Sequence, residues 1–158
     1  MPRILVLYDS RTGNTERMAH AVAEGVGEEG VEISMKKIDE ARVEDLQDFE
    51  GIIIGSPTYF GSMSGKVKHF LDESIKLYRG LEGKVGAAFT SSGGVATGAE
   101  TTILSILEAL LIHGMIVQGT SRGAHYGAAA VGTPDDKELE GCRDFGRRTA
   151  RLVKRLFP

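Results

Sequence analysis

The sequence contains a single cysteine, Cys142, and therefore cannot form an intrachain disulfide bond. Its four histidines are scattered without metal-ligand spacing, so we expect no metal site. No apolar run is long enough to span a membrane, and no basic, apolar and small-residue signal segment opens the sequence. Basic residues are not in excess, because the net charge is −3. We therefore expect a cytoplasmic protein that neither inserts into a membrane nor binds nucleic acid.

The remaining composition is that of an ordinary globular chain. Hydrophobic residues make up 41% and charged residues 26% of the 158 positions, enough to bury a sizeable core. We expect one domain over residues 1–158. Charge is unevenly placed, since six basic residues and one acid lie between Arg143 and the end. This pattern predicts the solvated face of a last helix, with a docking patch for an acidic partner as the alternative.

The most informative segment begins with the apolar run Leu5–Tyr8, which stops at small and polar residues before a helical pattern. Three of these residues carry hydroxyls: Ser10, Thr12 and Thr15. Gly13 allows a close approach of the backbone, and Asn14 carries an amide that can cap a helix. We expect Asn14 or Thr15 to cap the helix. The first turn of a helix has unpaired N–H groups and favours negative charge. The segment predicts a phosphate site, although an ordinary βα turn remains the alternative here.

Strand-like and helical patterns alternate along the whole chain. Strands are predicted at Ile4–Tyr8, Val31–Ile38, Gly51–Ser56, Val85–Thr90 and Met115–Gly119. Apolar residues at helical spacing lie between them and after the last, and residues 43–49 resemble a short helix or turn. This alternation predicts an α/β fold with an open parallel sheet and helices on both faces. For five strands, the flavodoxin-like three-layer sandwich of strand order 2-1-3-4-5 fits best.

In such sheets, ligands bind beyond the carboxyl ends of the strands. Two further informative segments follow strand ends, Ser56–Gly61 after strand 3 and Ser91–Gly98 after strand 4. The first has a proline-stiffened backbone and two aromatic residues able to flank a flat ring. The second offers glycine backbone and hydroxyls for a polar edge. Together the three segments predict a flat ligand that carries a phosphate.

Four other pattern matches fail on context. Gly25–Gly30 spells a dinucleotide fingerprint but ends a helix, so we interpret it as helix termination. Gly61–Val67 is one residue short of a P-loop and has valine where a hydroxyl should hold magnesium. Gly119–Gly123 matches a nucleophile elbow, but no triad of the expected chain order follows it. A phospho-receiver domain needs a carboxylate at the end of strand 3, where this chain has Gly55 and Ser56.

The segment Ser10–Thr15 resembles the FMN phosphate loop of the flavodoxin superfamily. Within that superfamily, the chain is most similar to the WrbA-type NAD(P)H:quinone oxidoreductases. This closer likeness lies in Pro57–Gly65, Phe70–Asp72, His113–Met115, Tyr126–Ala128 and Glu138–Glu140, the last followed by a basic helix. It extends over nearly the whole chain.

The resemblance implies a role for each matching residue. The FMN phosphate would be held by Ser10, Arg11, Thr12, Gly13, Asn14 and Thr15. The isoalloxazine ring would be bordered by Pro57, Thr58, Tyr59, Phe60 and Gly61. Its polar edge and the ribityl chain would contact Ser91, Ser92, Gly93, Gly94 and Gly98. His113 and Phe60 match substrate-pocket residues and are the expected catalytic residues, with His113 hydrogen-bonding a quinone oxygen and helping its protonation. Tyr78 falls where a neighbouring subunit's tryptophan often sits.

The resemblance implies an FMN-dependent enzyme that reduces quinones with two electrons from NAD(P)H and forms a homodimer or homotetramer. Two departures are visible. The chain lacks the longer insert that the family usually has between strands 2 and 3, and Tyr59 replaces a common arginine. An electron-carrier flavodoxin is the main alternative, although such carriers are usually strongly acidic. A regulatory FMN-binding subunit is a third. For His113, the alternative role is a helix C-terminal histidine favoured by the dipole.

Overall fold

Six parallel strands and four α-helices make up the fold in a computed structural model that describes residues 1–158. The strands are β1 (Arg3–Tyr8), β2 (Glu32–Lys37), β3 (Gly51–Pro57), β4 (Val85–Ser92), β5 (Ile116–Val117) and β6 (Ala129–Val131). The helices are α1 (Asn14–Glu28), α2 (Gly65–Glu73), α3 (Ala99–Ile112) and α4 (Asp136–Leu156). Short 3₁₀ helices occupy Ile38–Glu40, Val43–Asp48 and Ser74–Leu77.

The strand order is β2-β1-β3-β4-β5, which confirms the predicted order 2-1-3-4-5 and the flavodoxin-like fold. All residues of β3 and β4 are buried, as expected for central strands covered on both faces. Side chains alternate between two core clusters, with Leu5 and Leu7 in one and Ile4 and Val6 in the other. Helices α2 and α3 cover the first cluster, and α1 and α4 cover the second. The result is the predicted three-layer sandwich.

The fifth strand lies within the predicted segment but is shorter, and a sixth short strand, β6, is an addition. Ile116 and Val117 pair with the start of β4, and the chain then leaves the sheet edge before β6 returns to pair with its end. At the return, a Cβ on Gly127 would lie only 2.0 Å from the carbonyl oxygen of Ala88. The polar, glycine-containing segment 118–128 cannot continue the apolar strand, and only glycine can pass so close to β4.

The basic residues of α4 lie on a partly exposed face, where three arginines form ion pairs with acidic residues of a neighbouring helix. Arg143 pairs with Glu24 at 2.9 Å, Arg147 with Glu28 at 2.6 Å, and Arg151 with Glu29 at 2.7 Å. The acidic partners all lie on or just after α1, which packs alongside α4. These cations are thus engaged within the fold, which disfavours the alternative of a docking patch.

The segment Gly25–Gly30 does lie at the end of α1, where Gly30 adopts a positive φ of 74°. Gly25 itself is still helical and has a different role, because a Cβ there would meet the carbonyl oxygen of Arg143 at 2.0 Å. No helix combines the length and the apolar character needed to cross a membrane.

Candidate functional site

Three loops meet at the carboxyl end of the sheet, as the sequence predicted. We call them the first loop (residues 9–15), the second loop (57–62) and the third loop (91–98). The hydroxyls of Thr15 and Ser91 are 2.7 Å apart and join the first loop to the third. The N–H of Thr58 donates to the carbonyl of Ser91 at 2.8 Å, which joins the second loop to the third. The loops therefore form one connected surface.

The first loop is built to receive an anion. Its helix begins at Asn14, and the N-cap is Gly13 with φ 95°, so the expected cap at Asn14 or Thr15 is wrong. The oxygen of Ser10 instead accepts hydrogen bonds from the N–H groups of Gly13 and Glu16, at 3.1 and 3.2 Å. Four further N–H groups make no hydrogen bond within the protein, and they belong to Arg11, Thr12, Asn14 and Thr15. Such a cluster of free donors at a helix start fits a phosphate.

The three hydroxyls of the first loop have different surroundings. Thr12 is exposed and its hydroxyl makes no bond within the protein. Thr15 is only 2% exposed, and its hydroxyl is engaged with Ser91. The guanidinium of Arg11 lies 5.1 Å from the ring centroid of Tyr59, a cation–π contact that ties the first loop to the second.

The second loop is a tight turn that presents an aromatic ring to solvent. Tyr59 and Ser62 exchange two backbone hydrogen bonds of 3.0 Å, which leaves Phe60 and Gly61 as the turn residues. Both have positive φ, 51° and 73°, as a two-residue turn of type I′ requires. The left-handed conformation costs a non-glycine residue about 1–2 kcal/mol. Phe60 is fully exposed, so nothing in its own packing offsets this strain.

The third loop supplies glycine backbone and is held by the hydroxyls of a serine and a threonine. The hydroxyls of Ser92 and Thr97 both donate to the carbonyl of Gly94, at 3.1 and 2.8 Å. The N–H groups of Gly93 and Gly94 make no hydrogen bond within the protein. They are therefore available to a polar ligand edge.

The second and third loops also touch each other. A Cβ on Gly98 would lie 2.6 Å from the Cα of Gly61, so no side chain fits at Gly98. Thr101, in the first turn of α3, donates to the carbonyl of Gly61 at 2.6 Å. The sequence analysis did not identify Thr101, although a threonine near a helix start can bond to a carbonyl three residues earlier, as Thr101 does to Gly98 at 3.0 Å.

His113 lies apart from the three loops. It caps the C-terminal end of α3, whereas Gly61 contacts the first turn of the same helix. At a rise of 1.5 Å per residue, the intervening turns span about 20 Å. The structure therefore does not bring His113 and Phe60 together within one chain.

His113 forms a hydrogen bond with Ser74. Its Nε2 is 2.7 Å from the hydroxyl of Ser74, and that hydroxyl is also 2.6 Å from the carbonyl oxygen of Leu71. When the single hydroxyl proton is donated to Leu71, Nε2 carries a proton and donates to Ser74, which leaves Nδ1 as an acceptor. Burial lowers the pKa of His113 and favours this neutral form. The histidine borders a groove of about 580 Å³ whose rim includes Tyr78 and Ile112.

No group of three or more histidine, cysteine or acidic side chains is arranged to hold a metal ion. The buried thiol of Cys142 has its pKa raised to about 12 by desolvation, so it stays protonated and packs as an apolar residue.

A family model of the flavodoxin domain matches residues 5–111. The chain belongs to the flavodoxin family. It is 40% identical over 190 aligned positions to an NAD(P)H dehydrogenase (quinone) of Archaeoglobus fulgidus, covering 99% of this chain and all of that protein. It is 43% identical over 162 positions to a flavodoxin of Aquifex aeolicus, covering 97% of this chain and 88% of that protein.

Among solved structures, a WrbA-like flavodoxin from Agrobacterium tumefaciens superposes with a TM-score of 0.84 at 29% identity, covering 98% and 99% of the two chains. Membership of the flavodoxin family implies a flavin site. The free N–H groups of the first loop, the exposed ring of Phe60 and the open glycine backbone at Gly93 fit such a group.

Proposed function

We propose that this flavodoxin-family chain binds FMN and uses NAD(P)H to reduce quinones. The observation that carries the proposal is the set of four unpaired N–H groups in the first loop, connected by hydrogen bonds to two further loops. The 40% identical relative named NAD(P)H dehydrogenase (quinone), aligned along nearly all of this chain, supports the assignment as an enzyme.

The protein's task is to hold and orient the cofactor. The first loop would bind the phosphate through the N–H groups of Arg11, Thr12, Asn14 and Thr15, with the hydroxyls of Ser10 and Thr12 as further donors. The turn at Phe60 would border one face of the ring, and Gly93 and Gly94 would donate to its polar edge. When bound, FMN supplies the redox chemistry, accepting a hydride from NAD(P)H and delivering two electrons to a quinone.

His113 can reach a substrate at the FMN ring only if the ring is bound by another subunit. Within one chain, it is separated from the second loop by the length of α3. Three large apolar side chains near it are exposed: Ile75 by 70%, Tyr78 by 74% and Ile112 by 88%. An apolar rim of this kind is typical of a contact surface. We therefore propose a homodimer or homotetramer in which the groove at His113 faces the second loop of a neighbouring copy.

The tautomer of His113 restricts what it can do there. In the tautomer whose Nε2–H donates to Ser74, the neutral ring offers only the acceptor Nδ1 to a substrate. His113 would thus accept a hydrogen bond from a reduced quinone hydroxyl, and would donate a proton only after protonation at Nδ1. Burial disfavours that protonated form, so we assign His113 a role in orienting the substrate.

An electron carrier is the second candidate, and one observation favours it. The alignment with the Archaeoglobus enzyme extends over 190 positions, so that relative has residues with no counterpart among the 158 of this chain. The alignment with the Aquifex flavodoxin extends over only 162 positions, so it contains no insertion of this size, and the remaining 12% of that protein lies outside it. The missing insertion therefore favours a flavodoxin, whereas the absence of a strongly acidic charge favours the enzyme.

Anaerobic mixing of the purified yellow protein with NADH or NADPH distinguishes the two. For the enzyme, we expect rapid bleaching of the flavin absorbance, followed by its return when benzoquinone is added. Failure to bleach with either nucleotide, together with stepwise one-electron uptake from dithionite, would assign the protein as a carrier. A protein that purifies colourless and takes up no added FMN would refute both.

Mixing two inactive variants tests the shared site. The His113→Ala variant keeps a complete first loop, and the Gly13→Val variant keeps His113 but places a branched side chain at φ 95° in that loop. If the site is formed between subunits, a co-refolded mixture should recover part of the quinone reduction that each variant lacks alone. No recovery, or a monomer by light scattering, would contradict the proposal.

A further inference from the structure

One hydrogen bond closes the base of the first loop. Tyr8 is the last residue of β1 and is 4% exposed, and its hydroxyl donates to the Oε2 atom of Glu16 at 2.8 Å. Glu16 is the third residue of α1, so the bond connects the strand before the loop to the helix after it. The same carboxylate oxygen lies 3.7 Å from the Nζ atom of Lys37, at the end of β2.

The carboxylate of Glu16 and a bound phosphate compete for the same end of α1. Both are anions, and the dipole of a helix favours negative charge at its N-terminus. Two negative charges on one helix start repel each other, so the carboxylate must be kept aside when a phosphate binds. The backbone N–H of Glu16 points into the loop and donates to Ser10, while its side chain is held elsewhere.

Tyr8 and Lys37 hold this carboxylate on one side of the site. They end β1 and β2, whereas the other two loops follow β3 and β4. The first loop follows β1, so the strand order β2-β1-β3-β4 places Lys37 on one side of this loop and the other two loops on the opposite side. Burial and the bond to Glu16 raise the pKa of Tyr8 to about 12, so its hydroxyl keeps its proton at neutral pH and acts as a donor toward the carboxylate.

We propose that Tyr8 is a positioning residue that holds the charge of Glu16 away from the phosphate-binding groups of the first loop. It thereby sets the preference of this site for FMN over riboflavin. The inference rests on the proposed flavin site and adds a determinant of its specificity. Riboflavin has the same ring and ribityl chain but no phosphate, so the charge of Glu16 affects only the binding of FMN.

The test compares the dissociation constants of FMN and riboflavin for the apoprotein, measured by quenching of flavin fluorescence. In the Tyr8→Phe variant, the released carboxylate should weaken FMN binding by about tenfold, equivalent to about 1.4 kcal/mol, and leave riboflavin binding unchanged. In the double variant Tyr8→Phe with Glu16→Gln, the charge is gone, so most of the lost FMN affinity should return.

A matched control removes another buried hydroxyl from the same core. Thr149 in α4 is 6% exposed, and its hydroxyl donates to the carbonyl of Phe145 at 2.9 Å. The Thr149→Val variant should leave the affinity ratio of FMN to riboflavin at the wild-type value. It therefore separates a general loss of core packing from an effect at the first loop.

Several results would overturn the inference. They are an unchanged FMN affinity in Tyr8→Phe, an equal loss for FMN and riboflavin, and no recovery when Glu16→Gln is added. If the wild-type protein binds neither flavin, the proposed function fails separately. The same variants are then compared by the rise in unfolding temperature that inorganic phosphate produces. A smaller rise in Tyr8→Phe, restored by Glu16→Gln, would support the inference, and an equal rise in all variants would refute it.

Discussion

The hydroxyls of Thr15 and Ser91 form a buried hydrogen bond of 2.7 Å between the start of α1 and the end of β4. The resemblance to flavodoxins implied that Thr15 holds the phosphate, and its backbone N–H is free to do so. Its side chain is already engaged, however, and joins two loops that lie far apart in the sequence. The exposed hydroxyl of Thr12 has no such partner and is the better candidate for a direct contact.

Replacing Thr15 by valine should destabilise the protein by about 1–3 kcal/mol, because the buried hydroxyl of Ser91 loses its partner. The double variant Thr15→Val with Ser91→Ala should be less destabilised than the sum of the two single variants. Urea unfolding measures both. Thr12→Val serves as the control and should change stability by less than about 0.5 kcal/mol. Wild-type stability in Thr15→Val would show that the bond contributes nothing.

Two glycines on α4 should respond oppositely to alanine. A Cβ on Gly146 would lie 2.2 Å from the carbonyl oxygen of Val22 in α1, so Gly146→Ala must push the two helices apart. We expect a loss of about 1–3 kcal/mol or more. A Cβ on Gly141 meets nothing within 4 Å, and Gly141→Ala should stabilise the helix by about 0.5–1 kcal/mol. Thermal unfolding that gave both variants the same sign would contradict this packing.

We expect the backbone strain at Phe60 to lower the stability of the protein and its ring to contribute to quinone reduction. Asparagine tolerates positive φ better than phenylalanine, so Phe60→Asn should stabilise the protein by up to about 1 kcal/mol. The same change removes the ring from the second loop and should lower the rate of quinone reduction. Phe60→Leu removes the ring but keeps the strain, so it should lose activity without gaining stability. Calorimetry and steady-state kinetics on the two variants separate these effects. A gain in stability in both Phe60→Asn and Phe60→Leu would refute the role of strain.

His113 should make stability depend on pH. Burial lowers its pKa in the folded state below the value of about 6.5 expected when unfolded. The unfolded chain therefore binds more protons in that range, and stability should fall as the pH drops below about 6.5. His113→Gln keeps a donor for Ser74 but cannot titrate. The urea midpoint should therefore fall less in this variant than in the wild type between about pH 7.5 and about pH 5.5. Equal slopes would assign the pH dependence to other groups.

Patterns that depend on neighbouring residues were predictable from the sequence. The apolar run Ile52–Ile54 belongs to a strand buried on both faces, and such a strand must be apolar at every position. The turn after β1 was recognisable because free N–H groups at a helix start need hydroxyls and glycine nearby. The sixth strand was not predictable, because the short segment Ala129–Val131 becomes a strand only by pairing with β4.

The sequence alone determined the order of strands and helices. It also determined the three loops at the carboxyl end of the sheet, because hydrophobic periodicity and turn chemistry are local properties. Only the tertiary structure decided how individual polar groups are partnered. It paired Thr15 with Ser91, Tyr8 with Glu16 and Arg147 with Glu28, across 76, 8 and 119 positions of the chain. It also separated His113 from Phe60 by the length of α3. Such pairings depend on distances in space, and spacing along the chain does not encode them.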